Sequence, residues 1–594
     1  MIDTTVSIDL PPFDRKFWDG KFRFTRIGTG ALGGKASGLV VIKDLLADVA
    51  DASHFPGVEV NVPTMAVIAT DCFDDFIERN RLHELPFDEM ADDRIGHAFE
   101  NADLPTELLG DLRALSDEVK TPLAIRSSSL LEDALDRPFA GVYGTKMIPN
   151  NQFDADTRFR HLVEAIKFVY ASTYFREARD YIRTTGRCPS EEKMAVIVQE
   201  IVGRRHAERF YPDLSGVGRS YNFYASPPAR PEDGVVNLAL GLGKTIVDGG
   251  VTWTYSPAYP HKPPPFASVT EMLRGTQNEF WAVNMGKPPA YDPISETEYL
   301  QRASLKEAET DDTLRFVAST YDPGRDRIVP GTGSRGARVV NFAPLLQLEQ
   351  FPLNQLIRAL LREAEENLHA KVEIEFAVTI EQARNRPAQF RLGFLQVRPM
   401  VVSDEVVELL PADMACPQAI VASDMVMGNG VQTGIEDIVF VRPANFSAMK
   451  TPVIAEQLGA LNRQLTAEHR PYLLIGFGRW GSSHPSLGIP VDWSQIAGAR
   501  TIVEATLPDM NVELSQGSHF FHNLSSFRAN YFMVRHDGPR PINWDWLNRQ
   551  IIVSETELVR HVRLRAPLTV RVDGRTARGV VLGGTEASPV EGQS

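Results

Sequence analysis

Residues 21–50 constrain the chain more than any other stretch, because they read as strand, glycine turn and helix in direct succession. KFRFTRI alternates in polarity, GTGALGGK makes the turn, and ASGLVVIKDLLADVADA repeats apolar residues at helical spacing. Short β-rich runs follow at NVPTMAVIAT (61–70) and TPLAIRSSS (121–129), with helical patterns filling 71–120 between them. An amphipathic segment covers 155–185, and MAVIVQEIV (194–202) and VVNLALGL (235–242) read as buried strands. LNQLIRALLREAEENL (353–368) reads as a helix leading into two more strands, KVEIEFAVTI and QFRLGFLQV. Helices and strands are interleaved, so the fold class is α+β or α/β, with hairpins near residue 400.

At 594 residues the chain exceeds one ordinary core and divides into domains. The divisions expected are a first domain at 1–405, a smaller mixed α/β domain at 418–580 and a flexible tail at 581–594. The proline-rich stretch 257–293 is expected on the surface as an arm or lid. A net charge of −15 disfavours nucleic-acid binding. The basic run Arg560–Arg565 reads as a solvated edge strand. No apolar stretch reaches the roughly 18 to 20 residues that cross a bilayer, so no membrane partner is expected. Three scattered cysteines fit neither a disulfide framework nor a cysteine zinc site, and the N-terminus lacks signal-peptide character. These features point to the cytoplasm.

Three motifs carry chemistry. GTGALGGKAS (28–37) has the glycines and lysine of a phosphate loop, yet it departs from the GxxxxGK[ST] spacing, and a plain helix-entry turn explains it equally. In AIRSSSLLEDALDRPFAGVYGT (124–145), Arg126 precedes three hydroxyl residues, a combination suited to phosphate oxygens. Pairing of Arg126 with Glu132 is the alternative. In VEIEFAV and FRLGFLQVRP, a hairpin would put Glu375 and Gln396 on one face, where oxygen ligands suit magnesium, with Arg398 near a transferred phosphoryl group; an exposed hairpin carrying a salt bridge explains the pattern equally.

Together these segments resemble the nucleotide domain of phosphoenolpyruvate synthase and pyruvate phosphate dikinase. GGKASGL resembles the family's GGK opening, and AIRSSSLLEDALDRPFAGVYGT its V-R-S-S-A block. MAVIVQEIV, LALGLGKTIVDGGVT and EIEFAV with FLQVRP resemble three further blocks in the same order. The resemblance implies an ATP-grasp-like domain that binds ATP and Mg2+. It implies that Lys35 and Arg126 contact the phosphates, that Gln199 and Glu200 border the adenine, that Glu375 and Gln396 hold magnesium, and that Arg398 faces the transferred phosphate.

Two departures matter. Lys244 stands where the family has an acidic residue. After residue 400 no T-S-H-A histidine motif appears, and 194 residues cannot supply a swivelling domain and a barrel of about 250 residues. The expected activity is therefore phosphate transfer from ATP to a histidine, a small molecule or a partner protein. The alternative is a nucleotide-binding regulatory protein with a degenerate centre. In the second domain, His519 in SQGSHFFHNLSS is the candidate acceptor, since imidazole is a good nucleophile near neutral pH; a pair of ordinary histidines, hydrogen-bonded in a partly buried turn, is the alternative. A zinc site from His484, His519 and His522 is a remoter reading. In IGFGRWGSSHPSLGIPVDW, Arg479 and Trp480 either bind an anion or build a glycine turn whose Trp fills the core.

Overall fold

The computed structural model describes residues 10–15, 24–49, 55–130, 132, 141–184, 192–223, 225, 228–262, 269–382, 388–400, 402, 407–482, 487–508, 510, 524 and 529–584. The chain separates into two compact units. One gathers Met1–Tyr221, Pro227–Val247 and Val251–Met400, and the other takes Asn222–Ser226, Asp248–Gly250 and Val401–Ser594. Both are mixed α/β.

The first unit is organised by two sheets. Five strands lie in the order Phe24–Ile27, Met65–Ile68, Met194–Glu200, Leu123–Ser129 and Thr145–Ile148, with only the first pair parallel. Six more run Trp253–Tyr255, Val235–Ala239, Leu214–Arg219, Lys371–Glu381, Gln389–Met400 and Val58–Asn61. In the six-stranded sheet one face is apolar: Val372, Ile374 and Val378 are buried, and Ile374 and Ile357 both lie beside Gly218. Ile357 belongs to helix Leu353–Leu368, whose buried stripe Leu353, Leu356, Ile357, Leu360, Leu361 and Ala364 has the i, i+3, i+4 spacing of a core-facing helix. The alternate residues of the same strands carry charge and build the site below.

Helix Gly33–Val49 packs against both sheets. At its start a Cβ on Gly33 would lie 1.7 Å from the Ser128 carbonyl oxygen, and φ there is +76°. Only glycine permits this approach of helix to strand. The stretch expected as a surface arm is partly core instead. Strand Glu279–Asn284 pairs with Leu300–Ser304 and Arg209–Tyr211, and both of its faces are covered: Phe280 and Ala282 are buried on one side and Val283 on the other.

The second unit holds a nine-stranded sheet. Gly430–Val441, Tyr472–Phe477, Ala499–Ala505 and Asn530–Val534 run parallel in that order. Helix Thr451–Ala467 makes the first crossover, as a parallel connection requires. The basic run expected at an edge lies inside strand Val559–Asp573, flanked by Gly430–Val441 and Ile551–Glu555. His561 is tolerated there because it bonds Asp437, and both are 1% exposed. The final strand Arg578–Leu582 extends past residue 581, where the tail was expected to begin.

Candidate functional site

The glycine turn is held by the protein itself. Thr29 donates its backbone N–H (2.7 Å) and its hydroxyl (2.9 Å) to Asp71 Oδ2, and the Ala31 N–H donates to Thr70 Oγ1 (3.0 Å). Burial raises the Asp71 pKa, but the bonds from Thr29 and Gly30 outweigh it and hold the carboxyl below its ordinary value. A Cβ on Gly30 would lie 2.6 Å from the Asp71 nitrogen. Residues 28–30 therefore form a helix-entry turn whose amide groups face a carboxylate.

Lys35 enters a buried network. Its ammonium donates to Glu132 Oε1 (2.7 Å) and Ser127 Oγ (3.2 Å), and the Ser127 hydroxyl also donates to Glu132 Oε1 (3.0 Å). Glu132 Oε2 accepts the Ser129 N–H at 2.9 Å. Thus Glu132 pairs with Lys35, and the alternative Arg126–Glu132 pair does not form. Ser129 also bonds Glu192, which accepts the Tyr143 hydroxyl at 2.9 Å and the Lys193 N–H at 3.1 Å. Burial, with the nearby Glu132 charge adding, pushes the Glu192 carboxyl up to about 7.

Arg126 sits on the same strand but, by alternation, uses the other face. Its guanidinium donates to the Leu395 carbonyl oxygen (2.8 Å), to Gln396 Oε1 (2.7 Å) and weakly to Gln199 Oε1 (3.4 Å). Glu375 Oε2 lies 3.7 Å from it. Glu375 stands directly opposite Gln396 in the hairpin register. The Glu375 Oε1 and Gln199 Nε2 atoms are buried without a hydrogen-bond partner among the described residues. One orphaned carboxylate oxygen beside an amide oxygen is a donor set that fits magnesium, which binds one or two protein oxygens and completes its shell with phosphates and water. Glu200, next along its strand, turns away and accepts the Thr121 hydroxyl at 2.6 Å.

Two strand positions beyond Glu375 lies a second charge cluster. Glu373 accepts Arg398 Nε (2.8 Å) on Oε1 and Arg219 Nε (2.6 Å) on Oε2, and all three residues are 1% exposed. Arg219 also donates to Asn237 Oδ1 at 3.2 Å. The three ionic groups carry one net positive charge, favourable to a neighbouring anion. Arg219 and Asn237 escaped the reading of the sequence. The available signal was a polar residue within each of two apolar strands, LSGVGR and VVNLA. Lys244 opens the short helix Lys244–Val247 and lies 3.6 Å from Glu296 Oε1.

In the second unit, Trp480 is fully buried and donates Nε1–H to the Val503 carbonyl oxygen (3.2 Å), while Arg479 donates to the carbonyl oxygens of Gly249 (3.1 Å) and Gly250 (3.4 Å). That geometry matches the core-filling turn. His484, His519 and His522, the acceptor and zinc candidates, lie outside the described residues.

The family described as pyruvate phosphate dikinase, AMP/ATP-binding domain, matches residues 29–413. No curated protein matches the chain.

Proposed function

The chain belongs to the pyruvate phosphate dikinase AMP/ATP-binding domain family, and from that premise we propose that it is an ATP- and magnesium-dependent phosphotransferase. The observation that supports this reading is the convergence of Arg126, Gln199, Glu375 and Gln396 from two sheets of the first unit, with two buried polar atoms there left unpaired. Buried unpaired polar atoms cost free energy unless a ligand meets them.

In this reading Arg126, held by Gln396 and the Leu395 carbonyl, presents its positive charge to phosphate oxygens, and Arg398, steered by Glu373, stabilises charge on the transferred group. Lys35 anchors the phosphates. Glu375 and Gln396 would hold magnesium, which when bound would offset the charge of the phosphates. Gln199 offers its unpaired amide N–H to the nucleotide, while Glu200, turned away onto the Thr121 hydroxyl, takes no part. The acceptor is a histidine, with His519 the candidate, or a small molecule or partner protein. A second reading, nucleotide-binding regulation without transfer, is favoured by one observation: a cation, Lys244, where the family places an acid.

The test is incubation of the full chain with magnesium and ATP, followed by nucleotide chromatography and intact mass at alkaline pH. AMP or ADP with phosphate added to the protein supports transfer, and mapping the label tests His519. ATP that binds saturably but stays intact, with candidate acceptors supplied, supports regulation. An Arg398→Ala substitution is expected to lower turnover more than ATP affinity; equal loss of both would remove Arg398 from its role.

A further inference from the structure

Lys35 is buried at 6% exposure, and a buried ammonium costs free energy unless it is paired and hydrogen-bonded. Glu132, 2% exposed, supplies the partner. An ammonium has three N–H donors in a fixed tetrahedral spread. One points to Glu132 Oε1 and one to Ser127 Oγ, whose own proton goes to the same carboxylate oxygen. Among the described residues these are the hydrogen-bond acceptors of Lys35. The Glu132 carboxylate is in turn fixed by the Ser129 N–H, and the Glu132 N–H by Ser129 Oγ (3.1 Å). A closed triangle of Lys35, Ser127 and Glu132 thus sets the direction of the third N–H.

We propose that Glu132 is the positioning residue for Lys35: it pairs with the ammonium and spends two of its three donors, directly and through Ser127, so that the third is aimed at a phosphate oxygen of the nucleotide. The proposal rests on the ATP-binding reading above. It assigns to Glu132 a role exercised only through Lys35, with no contact to the nucleotide. Among the described residues, the charged and titratable groups facing this triangle are Glu192, through Ser129, and Tyr143 behind it.

A double-substitution cycle on the full chain tests it, with magnesium-ATP affinity measured by calorimetry and folding followed by melting temperature. Glu132→Gln and Lys35→Met are each expected to weaken ATP binding by about tenfold or more. Added to Lys35→Met, Glu132→Gln is expected to weaken it by less than about twofold further, because the residue it positions is gone. The double variant removes a buried ion pair as a whole and is the gentlest on folding. Should Glu132→Gln alone fail to fold, Glu132→Asp, which withdraws the carboxylate by one methylene, takes its place in the cycle. Additive losses, or unchanged affinity in Glu132→Gln, overturn the proposal. Failure of the unaltered protein to bind ATP overturns the functional reading itself, so the two failures are distinct.

Discussion

Glu192 gives the clearest single-residue expectation outside the nucleotide site. Its carboxyl is pushed up to about 7 by burial, reinforced by the nearby charge of Glu132. A raised acid holds its proton in the fold while the unfolded chain releases it, so its contribution to stability is present at low pH and lost as pH rises from the ordinary 4.5 to about 7. Glu192→Gln stays neutral throughout. Its stability relative to the unaltered protein is expected to improve by on the order of 2 kcal/mol between mildly acidic and mildly alkaline conditions. Urea titrations of both proteins at the two ends of that range measure it, and a constant difference would count against a buried, protonated Glu192. At the nucleotide site, Arg126→Lys keeps one charge but loses the fork that spans Gln396 and the Leu395 carbonyl, and is expected to weaken ATP binding by about tenfold. Calorimetric titration checks it, and undiminished affinity would show that charge alone suffices there.

Among the elements, helix Gly33–Val49 is placed by its first residue. A Cβ at position 33 would meet the Ser128 carbonyl at 1.7 Å, and this backbone atom cannot rotate away. Gly33→Ala is therefore expected to cost at least about 3 kcal/mol through overpacking and positive-φ strain. Thermal unfolding measures it, and a loss below about 1 kcal/mol would mean that the helix can withdraw. Strand Ile551–Glu555 shows the opposite condition. All five residues are exposed, Ile551 by 53% and Ile552 by 48%, at an edge with a bulge at Val553. Edge strands of this composition promote aggregation unless charged. Ile552→Lys is expected to raise the onset temperature of light scattering while changing stability by less than about 0.5 kcal/mol. An unchanged onset would acquit this strand.

The whole molecule is divided across its sequence in a way that a single cut cannot respect. The second compact unit includes Asp248–Gly250, and buried Arg479 donates to the carbonyls of Gly249 and Gly250. A fragment of residues 401–594 lacks those acceptors and is expected to melt below the corresponding transition of the full chain, as scanning calorimetry would show; coincident transitions would make that segment dispensable. The sequence by itself determined what depends on near neighbours. Helix Leu353–Leu368 follows from its apolar spacing, and the Glu375–Gln396 pairing follows from the two-residue period of a hairpin. Tertiary structure alone decided which polar residues meet across long separations. Arg126 reaches Gln396 across 270 positions, Lys35 reaches Glu132 across 97, and Arg219 reaches Glu373 across 154. Local periodicity carries no information at such distances. A buried charge is tolerated only where the fold brings its partner, and that partner is visible in the folded chain and not in the string of residues.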